Sequence, residues 1–325
     1  MTVADVVLVF ANVLYGTSYF ASRVALDSIP PATLALVRLV LAAMLLGVLA
    51  GRSGRAAPLA HGDRWRIAWM GILGFSAAYA LAHWGVYRST VTNAALLIVV
   101  EPLTIILVSP VMLGERLRRH EVVGGALALA GSVLVVVNGV PGITTDVAPH
   151  WQGDLLLVLS GVAFAAYTLI GRDVLARVEA MHVTVWSIVW GAAAVAPLAA
   201  AEWLAGSRPS MTTTGTVATL YLGLAISGFG FLVWNWAVQR VRAPRAAVSL
   251  TVQPIVGALL GAVLLGEPLT AFTVAGGLLV VLGLACAVVR GARGRDVIEP
   301  FPPDGILESC PNPGATSSRT TTRTD

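Results

Sequence analysis

The sequence predicts an all-α integral membrane protein: ten transmembrane helices arranged as two inverted five-helix repeats, with both termini cytoplasmic. Three observations lead there. Apolar residues fall in blocks of membrane-crossing length, arginines gather in alternate connections, and the second half of the chain repeats the first at a fixed offset. Of the 325 residues, 57% are hydrophobic and 12% charged, against about 45–50% and about 25% in an ordinary soluble domain. Too little polar side chain remains to cover a water-facing surface.

Read between Gly, Pro and Arg punctuation, the blocks fall near 4–22, 31–50, 66–86, 91–113 and 121–139, then 153–171, 181–203, 213–237, 244–265 and 270–290. Each approaches the roughly 20 helical residues that a hydrocarbon core requires. The first follows MTVAD, has no basic leader and carries Asn12, Tyr15, Ser18 and Tyr19, so it reads as a span and not as a cleaved signal. The second opens at Pro30-Pro31 and contains Arg38, and the third holds Tyr79, His83 and Trp84. The fourth sets Glu101-Pro102 in an otherwise apolar run, and the fifth carries Gly124-Gly125. A β-barrel is excluded because the runs lack strand alternation.

All 21 basic residues are arginine. With the N-terminus inside, the inner segments hold fifteen of those flanking the spans, among them Arg52, Arg118, Arg172 and Arg245; the outer segments hold Arg23, Arg88 and Arg208. That bias orients the chain. It also removes the nucleic-acid reading of a net charge of +4, because the basic residues follow loop position and form no single face. Cys286 and Cys310 lie too far apart in sequence for a metal or redox motif, and no cofactor or metal is predicted. Residues 291–325 turn rich in Pro, Gly, Ser and Thr and read as a disordered cytoplasmic tail. The domains expected are thus 4–139, 153–290 and this tail.

Shifted by 152 positions, VVEPLTIILVSPVMLGE falls on TVQPIVGALLGAVLLGE without a gap. Glu101-Pro102 meets Gln253-Pro254, Gly114-Glu115 meets Gly266-Glu267, and Gly124-Gly125 meets Gly276-Gly277. Upstream, Gly71 meets Gly223 and Trp84 meets Trp236; in the first helices an offset of 149 sets Arg23 on Arg172. Duplication over this many positions is a strong signal. Five spans per copy is odd, so the second copy enters the membrane from the opposite side. Inverted repeats of this kind suit secondary transport, since two such halves can open a central site to each side in turn.

The ten-span layout and the paired Glu/Gln-Pro and Gly-Glu motifs resemble the drug/metabolite transporter superfamily, specifically EamA-type permeases, over residues 4–290. The resemblance implies a metabolite carrier of the cytoplasmic membrane with a cavity lined by the third and fourth helices of each half. Gln253 in place of a second Glu departs from a symmetric two-carboxylate mechanism.

Glu101 lies about 15 Å into its span by helical rise, near the midplane. A charge there costs at least about 2.5–3.5 kcal/mol, so the carboxyl must face a wet cavity, carry a proton or meet a partner. Protons are therefore a candidate coupling ion. Arg38 is the one arginine well inside a span; snorkelling, a pair with Glu101 and a hold on an anionic solute all stay open. His83 and its repeat mate Asn235 read as two mouths of one path, with a proton relay at His83 weighed against the commoner role of a hydrogen-bonded filler. Asn12, Tyr15, Tyr79, Trp234 and Gln253 are cavity candidates, with interfacial anchoring the competing reading for the Trp and Tyr side chains. Pro102 and Pro254 read as shared kinks. The glycine pairs read as close helix contacts between the halves or in a homodimer.

The expected partners are a small-molecule solute and the lipid bilayer; Glu with Arg at mid-membrane suits a zwitterion such as an amino acid, moved outward, and equally an internal gate. The chain is not expected to be an enzyme: no nucleophile, base and orienting group converge at one depth, and no phosphate-binding glycine loop occurs. An intramembrane lipid enzyme and a non-transporting sensor or scaffold are the alternatives.

Overall fold

The structure, a computed structural model, describes residues 3–53, 61–113, 117–143, 149–175, 177–238, 240 and 249–289. The predicted tail, the Gly114-Glu115 hairpin and the start of the ninth predicted span lie outside them. Every regular element described is helical. Eight helical spans are long and apolar enough to cross a membrane, and Val252–Leu264 and Ala271–Ala287 are shorter apolar helices. Large apolar side chains such as Leu107, Leu129, Leu259 and Leu278 cover the outer surface, as a bilayer solvent demands.

In chain order the helices are α1 (Val3–Leu26) and α2 (Pro31–Ser53). The third span is composite: α3 (His61–Trp69), a π-helical segment π1 (Met70–Ala77) and α4 (Ala78–Arg88). Then come α5 (Val91–Leu97), α6 (Val100–Leu113) and α7 (Arg119–Val137). The second half has α8 (Trp151–Leu175) and α9 (Ala180–Leu204), then α10 (Thr213–Leu220), π2 (Tyr221–Gly230) and α11 (Phe231–Val238). It closes with α12 (Val252–Leu264) and α13 (Ala271–Val289). Element bounds recur at the offset of 152, since α7 becomes α13 residue for residue and π1 falls within π2.

Local chemistry sets the ends. Pro31 opens α2 at a position where no helical amide bond is needed. Thr90 caps α5 by accepting from Asn93 N at 3.1 Å, and Gly206 closes α9 at φ 90°, a left-handed turn that favours glycine.

The predicted fourth span is not one helix. It breaks at Ile98–Val99, ahead of Pro102, and Glu101 N donates to Ile98 O at 3.1 Å. The same break occurs at Leu250–Thr251, where Gln253 N donates to Leu250 O at 3.2 Å ahead of Pro254. Each proline lacks the amide that would have bonded across the break, so the ring sits in the first turn of a restarted helix and not in a kinked one.

The glycine pairs divide their work. A Cβ on Gly124 would lie 2.5 Å from Ala287 N, and one on Gly276 would lie 2.8 Å from Gly131 O, so these faces join α7 to α13. Gly125 faces Leu103 and Gly277 faces Leu96, toward the fourth predicted span.

Candidate functional site

Arg38 on α2 is buried, 8% exposed. Its Nε donates to Ser227 Oγ of π2 at 2.6 Å, and its guanidinium carbon lies 4.4 Å from the centroid of the Tyr79 ring. A cation over an aromatic face gains about 2 kcal/mol when desolvated, part of what burial costs. No carboxylate among the described residues pairs with it. Arginine carries five N–H donors, and Ser227 takes one, so the group can still bind an anion through its remaining fork.

His83 stands one turn along α4 from Tyr79, the rings 6.2 Å apart. Its Nδ1 lies 3.3 Å from Pro31 O. A carbonyl only accepts, so Nδ1 carries the hydrogen, and in the tautomer with one proton Nε2 is an acceptor. That atom is buried without a partner, which suits a donor arriving from outside the protein.

An aromatic wall continues from there. Phe75 of π1 packs edge-on against Tyr79 and Tyr167 at 5.7 and 5.2 Å and lies 6.0 Å from Phe231. Phe231 in turn meets Tyr15 at 6.4 Å, and Tyr15 meets Trp234 at the same distance. Tyr15, Tyr79 and Trp234 are thus linked through one run of ring contacts.

Glu101 occupies the first turn of α6, and no side-chain hydrogen bond or ion pair joins it to another described residue. The backbone of α8 lies alongside, so that a Cβ on Gly161 would sit 3.1 Å from Glu101 N. Tyr19 of α1 lies near α12, where a Cβ on Gly257 would stand 3.4 Å from its ring.

Residues 2–137 and 151–289 match the EamA-like transporter family. The chain belongs to that family. This EamA transporter is 31% identical over 277 residues to a probable terminal-alkyne amino-acid exporter of Streptantibioticus cattleyicolor, covering 85% of this chain and 90% of the relative. An uncharacterized transporter of Archaeoglobus fulgidus is 27% identical over 87% of this chain and 98% of its own. A crystal structure superposes with a TM-score of 0.61 at 24% identity, over 89% of this chain and 99% of the other, a likeness of fold.

The predicted residues of the EamA transporter gather in three places. Arg38, Tyr79 and His83 cluster with Ser227; Tyr15 joins Trp234; Asn12 joins Gln253, whose Nε2 donates to Asn12 Oδ1 at 2.7 Å. The Asn12 amide is otherwise engaged with Ser249 Oγ and Leu8 O, both at 2.8 Å. The Arg38–Glu101 pair left open by the sequence does not form, because Arg38 turns to Ser227 and Tyr79. The side chain of Asn235 lies outside the described residues.

Sequence reading missed Ser227, whose π-helical setting no periodicity reveals, and the ring contacts of Phe75 and Tyr167. It also missed a buried polar cluster of Asp154, His150, Asn93 and Ser89. A His four residues before an Asp at the start of an apolar helix was the available signal.

Proposed function

We propose that this EamA transporter is a secondary transporter that carries an amino acid or similar zwitterion out across the cytoplasmic membrane by alternating access. The reading keeps ten spans in two inverted repeats, 4–139 and 153–290, with both termini cytoplasmic. The arginine bias, the odd number of spans per repeat and the recurrence of element bounds at 152 support it. The relative named as an amino-acid exporter supports the solute class.

The observation that carries it is the pairing of complementary, unspent groups on one aromatic surface. The Arg38 fork takes the solute carboxylate, His83 Nε2 accepts from the solute ammonium, and Tyr15, Tyr79, Phe75 and Trp234 line the side-chain space. Glu101 is the proton carrier for coupling, being the mid-span carboxyl left without a partner.

Two measurements test this. Purified protein in liposomes, loaded with a panel of unlabelled amino acids, should concentrate labelled counterparts by exchange above empty vesicles; a flat response across the panel refutes the solute class. In the same vesicles Glu101→Gln should abolish acceleration by a pH gradient while exchange at equal pH persists. Retained acceleration removes Glu101 from coupling.

A further inference from the structure

At the end of the bundle that carries the 139–150 connection, side-chain hydrogen bonds converge on one carboxylate. Asp154, in the first turn of α8, is 0% exposed. Its Oδ2 accepts from His150 Nδ1 at 2.8 Å, and both oxygens accept from Asn93 Nδ2 at 3.2 Å. Ser89 Oγ donates to Oδ1. Ser89 sits in the corner between α4 and α5 and Asn93 in the first turn of α5, so these bonds tie α8 to that corner. The backbones are equally close there, with a Cβ on Gly153 placed 2.6 Å from Arg88 C. From the other side of the corner Glu267, between α12 and α13, accepts from Val91 N and Thr92 N at 2.7 and 2.8 Å.

The corner joins the helices that carry the candidate site residues. α4 carries Tyr79 and His83 inward from it, and α5 leads through the break at Ile98–Val99 to Glu101. On the transport reading, a solute leaving the site past this end would part α8 from the corner.

We propose that Asp154 is the gating residue of this end: its bonds to Ser89 and Asn93 hold the α4–α5 corner against α8, and solute passes only when they part. The inference rests on the transport reading. The chemistry makes the latch two-state. The Asp154 oxygens accept from Ser89 Oγ and Asn93 Nδ2 at the ends of rigid helices, so separation removes both bonds together. Water admitted at that moment replaces them, which lowers the cost of parting and lets the gate open. His150 travels with Asp154, being anchored four residues away beside the same helix, and so leaves the carboxylate one bond in both states.

The experiment uses the full chain in liposomes with Cys286 and Cys310 replaced by alanine. In Ser89→Cys/Asp154→Cys protein, oxidation to the disulfide, verified by mass spectrometry, should cut amino-acid exchange at least about tenfold, with recovery on reduction. Undiminished exchange in fully cross-linked protein overturns the proposal.

A second arm needs no flux. In Tyr19→Cys protein, labelling by a membrane-impermeant maleimide from the gate side should speed up about tenfold when Asp154→Asn is added, since the amide sets a donor against Asn93 Nδ2 or His150 Nδ1. An unchanged labelling rate overturns the latch by itself, including in a variant that fails to cross-link. Absence of exchange in the unsubstituted protein, together with faster labelling, would count against the transport reading and leave the latch standing.

Discussion

Two sectors of the helix bundle share their backbone contacts and differ in their polar groups. In one, α1 and α2 pack on α12 and π2; in the other, α8 and α9 pack on α6 and π1. Gly223 lies on Leu41 in the first sector, and Gly71 lies on Trp190 in the second, positions that correspond at offsets of 152 and 149. The side chains have diverged. Where the first sector has Arg38 bonded to Ser227, the second has Ser187 and Phe75; where the first has Asn12 bonded to Gln253, the second has Gly161 and Glu101. The first sector spends its amides on each other, while the second leaves Glu101 without a partner and Ser187 Oγ buried unpaired. One scaffold therefore carries a cation with its donors on one side and a bare carboxyl on the other, an arrangement that strict symmetry could not supply.

The largest expected break comes at the cation. Arg38→Gln removes the charge and the contact over Tyr79, and exchange should fall about a hundredfold, in line with losing a desolvated charge partner. Ser187→Ala, at the corresponding position, should leave exchange within about twofold, because it removes a hydroxyl that bonds nothing. Parallel rate measurements on the two variants decide whether the sectors differ as their geometry implies; equal losses would erase the distinction.

Packing gives the next contrast. A Cβ on Gly71 would stand 2.3 Å from Ser187 O, a backbone atom of α9 that cannot move alone. On Gly223 it would stand 2.6 Å from Leu41 Cδ1, which can rotate, and 2.7 Å from Leu41 Cβ, which is fixed to α2, so only part of that contact can be relieved. Gly71→Ala should therefore cost about 1–3 kcal/mol and Gly223→Ala less. Thermal melts in detergent would show the order, and a larger loss at Gly223 would contradict the close approach of π1 to α9.

Much of this was legible in the sequence, for identifiable reasons. Periodic blocks between arginines placed nearly every helix, because hydrocarbon forces backbone pairing within each span. The Glu-Pro and Gln-Pro motifs marked the two helix breaks, although proline alone did not say that the helix stops ahead of Ile98 and restarts at Val100. The π segments stayed hidden, since a one-residue widening of the turn leaves an all-apolar run unchanged in composition. The cluster of Arg38, Tyr79, His83 and Ser227 depended on which helices touch, and so did the Asp154 latch, whose partners lie 61 and 65 positions away. Long-range polar pairing has no local signal.

The smallest effect sharpens the comparison where the sectors look most alike. Asn12→Ala removes an acceptor from Gln253 Nε2 and a donor from Ser249 Oγ, leaving a buried amide without its partner. Nothing else described bonds the Gln253 amide, so the protein should lose about 1–2 kcal/mol of stability, read as a lower melting temperature. Adding Gln253→Leu should recover part of that loss, because replacing both partners of a buried hydrogen bond by apolar groups is milder than orphaning one. The corresponding position beside Glu101 is Gly161, where no such amide exists, so Glu101→Leu should show no rescue from a change at residue 161. If the Asn12 and Gln253 substitutions instead add independently, the amide pair is not the fastener of its sector, and the contrast with the open carboxyl of Glu101 loses its structural basis.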